Sequence, residues 1–198
     1  MTLPQTTAAP DIAEIAARIA RLRAEMERLD LDAYVTSTPN NTHYLTNFAN
    51  YVHERPFVLV IGRTGPPRFV APKLEIPHIR HRSVGNLDLI PYREFPAPEG
   101  EGWEDALAEA LGGAALIGVE SIAPLQLIEA LTGQYIRTDL IDDLRMVKSD
   151  YELARIAYVC ARLTDIHDDM MRGTKPGQTM AAFNSQHIGS LMKRVLAD

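Results

Sequence analysis

The 198-residue chain sets 20 Lys and Arg against 26 Asp and Glu, for a net charge of -6, and 46% of it is hydrophobic. Its Arg residues are spread and interleaved with acids, which argues against nucleic acid as the main partner, because neutralising phosphates takes clustered cations. Cys160 is the single cysteine, so no intramolecular disulfide forms. No window approaches ~20 continuous apolar residues, so no membrane-spanning helix is expected. The opening M-T-L-P-Q-T-T-A-A-P has neither a basic start nor an apolar run and does not read as a secretion signal. A reducing, cytoplasmic setting is the expectation.

Asp11 and Glu14 resemble a capping box ahead of a helical pattern. Ile12, Ile15, Ala16, Ile19, Leu22, Met26 and Leu29 recur on one side, and Arg18, Arg21, Arg23, Glu25 and Arg28 are expected elsewhere. A strand is predicted over Ala33–Ser37, a turn at Pro39–Asn41 and one helical turn over Thr42–Leu45. Residues 47–56 are polar and aromatic without a period, as in a loop or a twisted strand edge. The run Phe57–Ile61 fits a strand buried on both faces. Gly62–Pro67 turns the chain into a hairpin partner at Arg68–Ala71.

Lys73–Arg82 is predicted helical and Leu87–Tyr92 a strand, followed by a Pro-, Gly- and Glu-rich loop. Trp103–Leu111 reads as a helix, Ala114–Val119 as a strand, and Ser121 as the cap of a helix running to about Leu131. Tyr135–Asp139 is the sixth strand. Strands alternating with helices indicate an α/β layer fold with a mixed sheet. Residues 141–149 read as a linker. Ser149 and Glu152 then form a second capping box, and Leu153, Ile156, Ala157, Cys160, Leu163 and Met170 line one face of a helix ending at Gly173. Cys160 is expected to be a small buried hydrophobe. Lys175–Thr179 forms a turn, with Thr179 capping a further helix.

Signatures such as G-x-S-x-G, H-E-x-x-H, C-x-x-C and the phosphate-cradling glycine loop are absent. His78 and His81 share a helix face, but Arg80 and Arg82 beside them oppose a bound cation. His167, Asp168 and Asp169 are consecutive and point about 100° apart on a helix, so they cannot converge on one ion. The stretch from Pro39 to Phe48, followed by Tyr51, His53, Glu54 and Arg55, gathers aromatic and hydrogen-bonding side chains between two apolar strands. Loops on rigid scaffolds are where binding groups concentrate.

Three motifs in order carry a family resemblance. The segment L-D-L-D-A-Y-V-T-S-T-P-N-N-T-H-Y-L-T-N-F is similar to the opening of the creatinase and prolidase family, the pita-bread metallopeptidases, with Asn47 where that family's turn usually has Gly. Arg145-Met-Val-Lys-Ser-Asp-Tyr-Glu152 resembles its R-x-x-K-S-x-x-E hinge into the catalytic domain. Lys175-Pro-Gly-Gln-Thr179 resembles the K-P-G-x-T turn that follows.

The resemblance implies a ribonuclease H-like N-terminal domain over 1–140, a mixed six-stranded sheet with helices on both faces. Residues 141–149 would link it to the first two helices of a truncated catalytic domain at 150–198. It further implies a parent hydrolase acting on a C–N bond, commonly the one before proline, in a small peptide or amidino substrate. Two divalent metals such as manganese, cobalt or zinc would serve the parent, with their ligands downstream. This chain is expected to hold no metal or other cofactor and to be inactive alone. Partners implied are a second copy, as a homodimer, and the missing catalytic domain; neither nucleic acid nor membrane is expected. The residues matching the family's active-site-reaching loop make Tyr51, His53 and Arg55 the substrate-pocket candidates. A stand-alone, non-catalytic interaction or dimerisation module is the competing expectation.

Overall fold

The computed structural model describes residues 4–49, 55–94, 96–185, 187 and 189. Pro10–Val147 forms one compact unit, and Lys148 onward forms another together with the residues before Pro10.

The first unit is built on strands β1 Ala33–Thr36, β2 Val58–Gly62, β3 Arg68–Pro72, β4 Asp88–Tyr92, β5 Leu116–Val119 and β6 Gln134–Arg137. They form one six-stranded sheet in the order β4-β3-β2-β1-β5-β6. β2 is antiparallel to both β1 and β3. The β1–β5, β5–β6 and β3–β4 pairs are parallel. The antiparallel part therefore extends one strand beyond the expected hairpin.

Side-chain alternation divides the core between the sheet's faces. Val35, Val60, Val70, Ile117 and Val119 meet Trp103, Leu107 and Leu111 of α4 (Trp103–Leu111) and Leu127 and Ile128 of α5 (Leu125–Glu129). On the other face, Tyr34, Leu59, Ile61 and Phe69 meet Leu22 and Met26 of α1 (Ile12–Arg28), Leu45 of α2 (Pro39–Thr46), Ile79 of α3 (Ile76–Arg82) and Ile141 of α6 (Leu140–Met146). Gly118 lies opposite Tyr34 in register. A Cβ there would come within 2.7 Å of Leu31 Cδ1 and 2.8 Å of Tyr34 Cδ2, so the close packing of β5 under this face requires glycine. Asp32 Oδ2 accepts the N–H groups of Ala115 and Leu116, each at 3.0 Å, and joins the start of β1 to that of β5.

Several local expectations change. Asp11 does cap α1, accepting from Glu14 N at 2.7 Å. Ile12 is nevertheless exposed, and Arg18 takes a place in the buried row with Ile15, Leu22 and Met26. The helix α2 begins at Pro39, where a missing N–H costs nothing. α5 starts at Leu125 after Pro124, and Ser121 N instead donates to Asp139 Oδ1 at 2.8 Å. Residues 140–146, read as the end of a domain and a linker, form α6, because Leu140 and Ile141 are buried under the sheet.

The second unit contains α7 (Asp150–Gly173), opened by the expected capping box: Glu152 N donates to Ser149 Oγ at 3.2 Å and Ser149 N to Glu152 Oε2 at 3.0 Å. Tyr151 Oη and Arg155 Nη1 donate to the carbonyls of Ala8 and Thr6 at 3.0 and 3.2 Å, which is how the N-terminal segment comes to belong to this unit. Ala154 and Ile166 are buried, while Leu153, Ile156 and Leu163 are exposed. Cys160 is exposed too, contrary to expectation, because it lies on that open row. After the turn, Thr179 Oγ1 accepts from Ala182 N at 3.2 Å and residues 180–185 are helical.

Candidate functional site

The site begins at the C-terminal edge of β1 and β5. Glu120 directly follows β5 and is 1% exposed. Its carboxylate accepts from Asn41 Nδ2 at 2.6 Å, from Thr38 Oγ1 at 2.8 Å, from the backbone N–H groups of Ser37 and Thr38 at 3.2 Å each, and from Thr36 Oγ1. A buried carboxylate is tolerable only when its lone pairs are filled, and here they are. The negative charge also faces the first turn of α2, the favourable end of the helix dipole. Asn41 in turn accepts at Oδ1 from Arg145 Nη1 at 2.8 Å, and Asp142 accepts from the same nitrogen at 3.0 Å. Tyr34 donates to the Thr138 carbonyl at 2.6 Å, and burial, followed by the nearby Glu120 charge, pushes its phenol well above the ordinary range.

From this fixed start α2 runs to Thr46, and Asn47 then adopts a left-handed conformation with φ 61°. Asn tolerates that region better than other non-glycine residues, which explains how it stands where the related turn has Gly. Phe48 N donates to Thr46 Oγ1 at 3.1 Å. The Phe48 ring packs edge-on to Phe69 and His78, with centroids 5.8 and 5.2 Å apart, and stacks on Phe57 at 6.2 Å. Phe48 and Phe57 are both buried in the core.

Tyr51 and His53 lie outside the described residues, and so do Asn50, Val52 and Glu54. Arg55 is described. Its Nε lies 2.7 Å from Glu94 Oε1, the two side chains being 41% and 33% exposed. Tyr92 Oη donates to the Pro56 carbonyl at 3.1 Å and ties the loop's end to β4. Burial pushes the Tyr92 phenol up; Glu94 adds to the rise and Arg55 opposes it.

A cavity of about 260 Å³ lies beside Tyr92, with Lys73, Arg93, Glu101, Asp105 and Glu109 in its wall. A groove of about 720 Å³ runs between α1 and the β2–β3 turn, and Arg55 does not line it. Among the described residues no three His, Cys, Asp or Glu side chains are grouped so as to hold a metal ion. No described helix is long and apolar enough to cross a membrane.

Sequence pattern alone missed the Glu120 hub and the buried Arg18. Arg18 Nη1 donates to the Tyr44 carbonyl at 2.7 Å, Nε donates to Glu14 at 2.9 Å, and the guanidinium lies 4.3 Å from the Tyr44 ring centroid. Its signal was spacing, since position 18 falls in one row with 15, 22 and 26.

A mixed six-stranded sheet with helices on both faces defines an α/β domain of the kind that begins prolidase-type peptidases. The chain belongs to the Creatinase/Prolidase N-terminal domain family, whose pattern matches residues 18–147. It is similar to an Xaa-Pro dipeptidase from Bacillus anthracis, with TM-score 0.75 and 16% identity, over 91% of this chain and 49% of that one. It is also similar to the prolidase of Pyrococcus horikoshii OT3, with TM-score 0.72 and 19% identity, over 90% and 49%. At these identities the likeness establishes the fold. An uncharacterized peptidase of Staphylococcus aureus is 31% identical over 85 residues, which are 40% of this chain and 24% of the relative. The chain thus spans about half the length of the two solved structures and about a quarter of that curated relative.

Proposed function

We propose that the chain is the N-terminal accessory and dimerisation domain of a metal-dependent hydrolase of the Xaa-Pro dipeptidase or creatinase type, with residues 150–198 as the first two helices of its catalytic domain. Support comes from the family match over 18–147 and from likeness to an Xaa-Pro dipeptidase twice as long. In this reading residues 47–56 contribute Tyr51, His53 and Arg55 to a substrate pocket that a catalytic domain completes, in a homodimer that of the partner subunit. The divalent metal pair, held by ligands beyond this chain, would supply an activated water.

The observation that carries the reading is Arg55. It stands two residues before the buried Phe57, partly exposed, with a carboxylate already 2.7 Å from its Nε. A partly exposed ion pair contributes under ~1 kcal/mol, so a substrate carboxylate can displace Glu94 at small cost. The incoming group gains a bidentate contact suited to a small zwitterion. His53 would add a hydrogen-bond donor whose charge changes near neutral pH.

The test is steady-state kinetics of the full-length protein on Xaa-Pro dipeptides and creatine-like compounds. Arg55→Ala and His53→Ala are each expected to lower kcat/KM about a hundredfold. Glu94→Gln, which removes the competing carboxylate, is expected to leave kcat in place and lower KM. Wild-type kcat/KM in both the Arg55 and His53 variants on the best substrate would reduce the loop to a structural element.

A further inference from the structure

We propose that the open edge of β6 is the surface through which two copies of this chain join, pairing antiparallel across a two-fold axis at Ile136. The inference rests on the dimerisation reading above and assigns it a place. The two edges of the sheet are treated differently. At one end β4 carries Pro91 within the strand, the usual device that stops an edge from recruiting another chain. At the other end β6, Gln-Tyr-Ile-Arg, has no proline, and all four of its residues are exposed. Tyr135 is 43% and Ile136 37% exposed. Among the described residues no strand pairs with its outer side.

The ladder fixes which groups are available. Gln134 N and Thr138 N donate inward to the Ala115 and Val119 carbonyls, each at 2.9 Å. By the alternation of a parallel pair, the backbone N–H and C=O of Tyr135 and Arg137 point outward. Two-fold antiparallel pairing must set outward residues opposite outward residues, so few registers exist. Centring on Arg137 would oppose two like charges, which destabilises. Centring on Tyr135 would set Gln134 against Ile136 and Gly133 against Arg137. Centring on Ile136 sets Tyr135 against Arg137, a ring against a guanidinium. It also sets Ile136 against Ile136 in a close, non-hydrogen-bonded pair and Gln134 against Thr138.

The edge is therefore complementary to itself, as an isologous interface requires. Arg137 Nη1 donates to the Ser121 carbonyl at 3.2 Å. That bond sets the turn bearing Ile122, 74% exposed, at the C-terminal end of the strand, and extends the apolar surface.

The test is sedimentation velocity of the 198-residue chain over a concentration series. Wild type is expected to dimerise. Tyr135→Pro removes an outward donor and spares the β5 ladder; Ile136→Lys sets two cations together at the axis. Each should weaken dimerisation at least about tenfold, with Trp103 fluorescence confirming the fold. Mixing Ile136→Lys with Ile136→Glu should restore a heterodimer, and this mixture decides the matter if the proline variant fails to fold. A wild-type dimer that all three variants preserve would overturn the edge assignment and leave dimerisation standing. A monomeric wild type would overturn both.

Discussion

Glu120→Gln exchanges a carboxylate oxygen for an NH2 of nearly the same size, so packing is constant and only the acceptor count changes. The carboxylate takes five donors: Thr36 Oγ1, Ser37 N, Thr38 N, Thr38 Oγ1 and Asn41 Nδ2. The amide can keep its oxygen toward Asn41 and the hydroxyls only by turning its NH2 against the Ser37 and Thr38 N–H groups. Those two fixed donors then lose a charged acceptor in a buried site. At ~1–3 kcal/mol per orphaned buried group, less some relaxation, the loss is about 3 kcal/mol. That corresponds to a drop in Tm of roughly 10 °C for a unit of this size. Urea unfolding followed by fluorescence reads this directly, because Trp103 is the only tryptophan and is buried in the Pro10–Val147 unit. Glu120→Ala, which orphans every donor, should cost more. A Glu120→Gln variant within ~0.5 kcal/mol of wild type would refute the carboxylate as the acceptor on which the start of α2 depends.

Gly118→Ala drives a methyl into Leu31 and Tyr34 and should cost about 1–3 kcal/mol in the same unfolding assay, the usual penalty for overpacking. The N–H of Leu116, then that of Ala115, holds the Asp32 carboxyl below its ordinary 3.8. A depressed folded pKa gives stability that is present above the ordinary value and lost as pH falls through the folded one. Asp32→Asn should therefore separate from wild type in Tm near neutral pH and converge on it in a pH titration below 3.8.

The strands were legible as short, largely apolar runs bounded by turn residues, and β2, buried at Val58–Ile61, read as a continuous run. Elements that depend on tertiary partners were not. The helix α6 spans seven residues without a side-chain cap and exists because Leu140 and Ile141 have a sheet to lie on. Arg18 contradicts the rule that charges face water, since Tyr44, which takes its Nη1 and lies under its guanidinium, belongs to α2 and is invisible to the periodicity of α1. Glu120 is a single acid after an apolar strand, and nothing local marks it as buried. The pocket candidates were found by composition and resemblance. Of the three, Arg55 has a defined surrounding here, and its pairing with Glu94 could not be seen along the chain.

The Glu120 hub also bears on the order of folding. The helix α2 has eight residues and makes no side-chain cap of its own. A helix that short is marginal in water. Its start is held instead by Glu120, which accepts from Thr38 and from Asn41, 82 and 79 positions away. Closing that span is entropically costly and slow compared with forming a local turn. The nascent chain therefore gains a stable α2, and with it a settled foot for the loop after Asn47, only once β5 has been synthesised and has docked beside β1. The helix that leads into the segment carrying the proposed substrate contacts is thus made before the strand that holds it in place.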